Sequence, residues 1–259
     1  MKIGICPLVV GNWKMHGIRA SIKEIDKVVK GIERNRCRIN VAICPPATLI
    51  YEVFSLFEKS SLIIGAQDCH VAESGSYTGD ISASMLADCG AKFVILGHSE
   101  RRIGHQESSQ IVQSKVKSAC NAGLYPIVCV GETYEDYLSG KTFEVLQEQL
   151  DFSIPSDFKS LIPVVAYEPI WAIGTGRIPS IADLEKIHSF IRSILVNRFL
   201  EEGKKMRILY GGSVNAENVK DFSFIENIDG LLVGGASLQY ESFSKIIEIF
   251  DRVYVDSYL

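Results

Sequence analysis

Short apolar runs recur along the whole chain: Cys6–Val10, Val41–Cys44, Leu62–Ala66, Phe93–Leu96, Ile127–Val130, Val164–Tyr167, Ile208–Tyr210 and Leu231–Val233. Each is the size of a strand. None alternates polar with apolar, so both faces of every strand are predicted to be buried, as in a parallel sheet. Between the runs, apolar positions fall at helical spacing. Ile22, Ile25, Val28, Val29 and Ile32 share one face, and so do Leu49, Val53, Leu56 and Phe57. Ile111, Val112, Val116 and Ala119 follow the same period with Lys115 at the edge of the stripe, as do Phe143, Leu146 and Leu150. Leu184, Ile187, Ile191, Ile194 and Leu195 make the clearest stripe, opened by Ser180 and Asp183 at capping-box spacing. Phe243, Ile246, Ile247 and Phe250 close the series, and Ser82–Cys89 and Ala216–Phe222 are long enough for short helices. Strand then helix, eight times with no linker, predicts an α/β chain folded as one (β/α)8 barrel domain over residues 1–259, with a doubly wound open sheet as the alternative.

Composition narrows the function classes. The 259 residues are 47% apolar and 22% charged, ordinary for a globular chain with a sizeable core. A net charge of −4 argues against a nucleic-acid or anionic-membrane partner, so any anion site must be local. The seven cysteines, Cys6, Cys37, Cys44, Cys69, Cys89, Cys120 and Cys129, contain no CxxC pair and sit mostly in apolar runs. They read as buried thiols of a reducing compartment, the cytoplasm, with no zinc site or redox dithiol. Lys2 followed by Ile3–Gly11 resembles a short signal segment, but it lacks a small-x-small cleavage site and is expected to be the first strand.

In such a barrel the carboxyl ends of all strands meet on one face, and the chemistry collects there. Glu168 ends the sixth run. Pro169 then bars smooth continuation into a helix, and apolar Ile170-Trp171-Ala172-Ile173 leads to Gly174-Thr175-Gly176. Large apolar residues between a proline hinge and a glycine hinge fit a lid that closes over a site and sheds water. A packed surface loop accommodates the same residues. Asn12 and Lys14 follow the first run, His98 and Glu100 the fourth, and Gly131-Glu132 the fifth. After the last two runs come Gly211-Gly212-Ser213 and Gly234-Gly235. Unobstructed backbone N–H groups at those turns would seat a phosphate without a cationic side chain. Each glycine pair alone is equally a tight turn.

The motifs GNWKM (Gly11–Met15), GHSERR (Gly97–Arg102), CVGE (Cys129–Glu132), AYEPIWAIGTG (Ala166–Gly176), YGGSV (Tyr210–Val214) and LVGGASL (Leu232–Leu238) stand in one order. Over nearly its whole length the chain resembles the triosephosphate isomerase family. The resemblance implies a TIM barrel that interconverts dihydroxyacetone phosphate and D-glyceraldehyde 3-phosphate in glycolysis and gluconeogenesis, without cofactor or metal. It maps the base to Glu168, the electrophile to His98 and an electrostatic stabiliser to Lys14. Asn12 holds Lys14 and the substrate, and Glu100 lies beside the set. The phosphate and substrate contacts map to Asn12, Lys14, Gly174, Ser213, Leu232, Gly234 and Gly235. It also implies a homodimer, in which the Gln67–Asp80 loop docks near the Asn12–Lys14 segment of the other subunit with Thr78 at its tip.

The residue types suit the reaction. A carboxylate can take a proton from carbon only if the enediolate is stabilised and water is shut out. The lid supplies the second condition. Neutral His98, at the N-terminus of a short helix starting near Ser99, and Lys14 supply the first. Asp68 stands where the family pattern has Asn, and Pro179 ends the lid where proline is unusual; Pro179 is expected to stiffen the rear hinge by fixing φ. Glu100 has a purely structural alternative, an ion pair with Arg101 or Arg102, and Glu132 is a candidate tie for the fifth loop. Three other functions fit parts of the pattern: an aldolase with Lys14 as Schiff-base former, an isomerase of a related sugar phosphate such as a tetrose phosphate, and a silent phosphate-binding or scaffold barrel.

Overall fold

A computed structural model describes residues 5–158 and 161–256. Eight parallel strands close into a barrel in chain order: β1 (Leu8–Asn12), β2 (Asn40–Cys44), β3 (Ile63–Ala66), β4 (Phe93–Leu96), β5 (Tyr125–Val130), β6 (Val164–Tyr167), β7 (Ile208–Tyr210) and β8 (Gly230–Val233), with β8 pairing back to β1. The alternative of an open sheet is thereby excluded.

The continuous apolar runs conceal a period of two that the closed barrel resolves. Leu8 and Val10 of β1, Ala42 and Cys44 of β2, and Phe93 and Ile95 of β4 pack together inside the barrel with Ile127, Cys129, Val164, Ala166, Leu209 and Leu232. Their neighbours Val9, Val41, Ile43, Val94, Leu96, Val128 and Val165 face the other way and pack under the helices. Both faces are dry, so both are apolar, and no alternation is visible in the sequence.

The surrounding helices are α1 (Ile22–Arg34), α2 (Ala47–Phe57), α3 (Ala83–Asp88), α4 (Ser99–Gly104), α5 (Ser109–Asn121), α6 (Tyr134–Leu138), α7 (Thr142–Ser153), α8 (Ile181–Lys205), α9 (Val219–Ser223) and α10 (Tyr240–Asp256). The stripe Leu184, Ile187, Ile191, Ile194 and Leu195 is a buried face of α8; most other stripe positions are buried too, but Leu56, Ile111 and Phe143 are exposed at the edges of theirs. Among the described residues no helix is long and apolar enough to cross a membrane.

Several details differ from expectation. β1 begins two residues later than the apolar run and includes Asn12, because its register pairs Leu8 with Asn40 and Asn12 with Cys44. β8 begins at Gly230, whose φ of +158° and close approach to β1 demand glycine: an added Cβ would meet the Leu8 carbonyl oxygen at 1.9 Å. At the start of α8 the Ser180 hydroxyl accepts from Asp183 N–H (3.1 Å) but also donates to the Asp183 carboxylate (2.7 Å), so only half of a capping box forms.

Candidate active site

Each catalytic candidate is held by the strand end that carries it. Asn12 closes β1 and is buried, and its Oδ1 accepts from Lys14 N–H (3.0 Å). That bond steadies Lys14 at φ +52°, a backbone region that a lysine rarely adopts. The strained turn sends the Lys14 ammonium to Glu100, 2.6 Å from Oε1. Glu100 therefore pairs with Lys14 and not with Arg101 or Arg102. Arg101 is taken by Asp68 (2.9 Å) and Glu107 (2.7 Å), and Arg102 by the carbonyls of Gly97 and Cys129 and by Ser153. Partial burial works against the Glu100 carboxylate, yet Lys14's hydrogen bond and charge hold it below the ordinary range.

His98 caps α4. Its Nδ1 accepts from Glu100 N–H (3.2 Å), which requires a lone pair on that nitrogen. The ring is therefore in the tautomer that carries its proton on Nε2, and Nε2 lies 3.2 Å from Glu168 Oε1. Glu168 follows β6, with its own N–H bound to the Val130 carbonyl (2.8 Å), and is only 3% exposed. Its second oxygen, Oε2, is buried without a partner among the described residues.

Asn12, Lys14, His98 and Glu168 border one cavity of about 300 Å³, and Gly174, Ser213, Leu232, Gly234 and Gly235 line the same space. Glu100 does not line it and reaches it only through Lys14. The backbone N–H groups of Gly212, Ser213, Gly234 and Gly235 have no protein acceptor among the described residues. One end of the cavity thus offers a carboxylate and an imidazole N–H, and the other offers open amides, the arrangement that proton transfer on a phosphorylated small molecule needs.

The family model described as "Triosephosphate isomerase" matches residues 7–250. The chain belongs to the triosephosphate isomerase family. It is 48% identical over 254 residues to the triosephosphate isomerase of Rhizobium meliloti (strain 1021), covering 98% of this chain and 99% of that one. Its identity to the Xanthobacter flavus enzyme is 50% over 240 residues, covering 93% and 96%. The crystal structure of triosephosphate isomerase from Bartonella henselae superimposes with a TM-score of 0.89 at 41% identity, covering 95% of this chain and 99% of that one.

In this family member the segment after Glu168 is tethered at its root, while Ile173, Gly174 and Gly176 line the cavity. Ile170–Ala172 forms a short 3-10 turn. Trp171 Nε1 donates to Glu132 Oε1 (2.9 Å), which also accepts from the Tyr167 hydroxyl (3.1 Å). Glu132, fully buried, has its pKa raised by that burial; expected as a tie for the fifth loop, it bonds across to Tyr167 and Trp171 at the root of the next one. The Trp171 ring rests on Tyr137 of α6 (centroids 4.7 Å apart), and Arg177 lies over Tyr134 at 5.5 Å. Gly174, Thr175 and Gly176 are exposed, at the rim of the cavity.

Sequence reasoning missed the residues that hold Glu168. Gly131 and Gly211 end the strands on either side of β6. A Cβ at Gly131 would meet the Glu168 carbonyl oxygen at 1.8 Å, and one at Gly211 would meet Glu168 Cγ at 2.8 Å. The Gln149 carboxamide clasps Gly131 from both sides, donating to its carbonyl (3.0 Å) and accepting from its N–H (2.8 Å). A glycine after each of the strands flanking β6 was the available signal. Asp68, the departure noted above, belongs to a half-buried charge cluster with Arg101, Glu107 and Lys115, in which Lys115 lies 2.7 Å from Asp68 and 2.6 Å from Glu107.

Proposed function

We propose that Glu168, His98 and Lys14 carry out the isomerisation of dihydroxyacetone phosphate and D-glyceraldehyde 3-phosphate in this chain. The Glu168 carboxylate takes a proton from the carbon next to the carbonyl. The Nε2–H of His98 donates to the carbonyl oxygen as charge builds there, and the Lys14 ammonium stabilises the resulting enediolate. Glu168 then returns a proton to the neighbouring carbon while His98 passes protons between the two oxygens. A glutamate base beside a neutral histidine is the well-known arrangement of this family, with lid closure excluding water. Each donor preorganised on a developing oxyanion is worth on the order of 10²–10³ in rate. The open amides of Ser213, Gly234 and Gly235, joined by Gly174 once the lid swings in, grip the phosphate, while Leu232 floors the pocket.

The observation that supports this reading is the Glu168 carboxylate, with Oε1 beside His98 Nε2 and Oε2 unpartnered among the described residues, on the cavity that the free amides border. A coupled assay of glyceraldehyde 3-phosphate isomerisation tests it. Glu168→Gln keeps the shape and removes the base, and kcat should fall by at least about 10³. A Glu168→Gln enzyme with near-wild-type kcat would remove Glu168 from the mechanism.

The working form we propose is a two-fold homodimer in the cytoplasm. Met15, Ile18, Tyr77, Met85 and Ile103 are large apolar residues at least half exposed, on segments that follow β1, β3 and β4. Covering them by the Gln67–Asp80 loop docked beside the Asn12–Lys14 segment of the partner subunit removes that surface from water. The seven cysteines are all free thiols, consistent with a reducing compartment.

A further inference from the structure

The loop after β7 carries Gly212 and Ser213 along the cavity, and a side chain outside the cavity holds its shape. Asn218, just before α9, donates from Nδ2 to the Ser213 carbonyl (3.0 Å) and accepts at Oδ1 from Asn215 N–H (2.9 Å). Asn215 answers with its own Oδ1, which accepts from the N–H groups of Glu217 (2.9 Å) and Asn218 (3.0 Å). The two carboxamides lock residues 213–218 into one closed turn where neither strand nor helix does so. Ser213 is the pivot of that turn: its hydroxyl also donates to the lid carbonyl of Ala172 (2.5 Å).

The other half of the seat is anchored differently. The Gly234 carbonyl accepts from both the N–H (2.8 Å) and the hydroxyl (2.7 Å) of Ser237, whose own carbonyl accepts from the Trp13 indole (3.1 Å). Ser237 and Trp13 are buried, so that side is built into the core. On the β7 side the side-chain bond to the Ser213 carbonyl comes from one half-buried carboxamide, that of Asn218.

We propose that Asn218 is a positioning residue for phosphate binding: through Ser213 it sets the backbone amides after β7 in the geometry that a phosphate dianion needs, without touching substrate. This rests on the reading of the cavity as a phosphate seat. The phosphate does not change during proton transfer, so loosening its grip weakens ground state and transition state alike and leaves Glu168 and His98 to work as before.

In Asn218→Ala, KM for glyceraldehyde 3-phosphate and Kd for inorganic phosphate by calorimetry should both rise about tenfold, the effect of one well-placed hydrogen bond, while kcat stays within about twofold. Asn218→Asp keeps the acceptor for Asn215 and has no donor for Ser213, so it should lose phosphate affinity at least as far. If Asn218→Ala does not fold, the Asp variant, which keeps half the clamp, carries the same comparison. A fall in kcat with unchanged KM, or wild-type phosphate affinity in Asn218→Asp, overturns the assignment and leaves the seat standing. A wild-type enzyme that binds no inorganic phosphate at this site overturns the seat itself, and the assignment with it.

Discussion

Gly211→Ala isolates the placement of the base from every other part of the site. The Gly211 N–H donates to the Tyr167 carbonyl (2.8 Å), and alanine keeps that bond. Its φ lies outside the left-handed region, so alanine adds no backbone strain. The added methyl instead lands 2.8 Å from Glu168 Cγ and 3.4 Å from Oε1. Carbon atoms pack comfortably at about 3.5–4.0 Å, so the glutamate side chain must retreat by roughly 1 Å. A misplacement of about 1 Å at a reacting group costs on the order of 10² in rate, equivalent to about 2.7 kcal/mol of barrier. Steady-state kinetics should show kcat falling by about that factor while KM, set largely at the phosphate end, changes little. Gly104→Ala is the comparison, because a Cβ there meets nothing within 4 Å and should leave kcat unchanged. A folded Gly211→Ala enzyme with kcat within about threefold of wild type would refute the claim that Gly211 sets the position of Glu168.

His188 is buried against Tyr167 and Tyr210 with its pKa lowered from 6.5 to about 4, chiefly by burial. The unfolded chain then binds more protons between those values, so stability is lost as pH falls from 6.5 through about 4, up to about 3 kcal/mol. Denaturant melts at pH 7 and pH 4 should show this loss in the wild type and a smaller one in His188→Gln; parallel losses would dismiss His188 as the source. Pro179 is buried at the rear of the lid, and Pro179→Ala should raise the opening rate seen by relaxation dispersion, whereas unchanged rates would rule out a stiffened hinge. Charged substitutions at Tyr77 and Thr78 that yield a monomer by sedimentation should also cut activity, though neither residue borders the cavity; a fully active monomer would show that the site does not need its partner.

Much of this protein was legible from the chain alone. Apolar runs too continuous for a one-sided sheet specified buried parallel strands, and the residues after them, Asn12, Lys14, His98, Glu168, Ser213 and Gly234, pointed to one end of a barrel. Local chemistry was legible as well, because caps and hinges act over a few residues: His98 could be placed at a helix start and Glu168 at a proline hinge before any fold was known. What only the tertiary structure decided is how strand ends far apart in sequence meet. Glu100 chose Lys14, 86 positions away, over the adjacent Arg101 and Arg102 because the barrel brings the β1 and β4 ends together while Asp68, Glu107 and the Gly97 carbonyl occupy the arginines. Gly131 and Gly211 looked like ordinary turn glycines until barrel closure set β5 and β7 against β6, where neither leaves room for a Cβ beside Glu168. Strand alternation was hidden for a related reason. Hydrophobic burial reports whether a position is dry, not toward which of two dry spaces it points, and only the closed register assigns that direction.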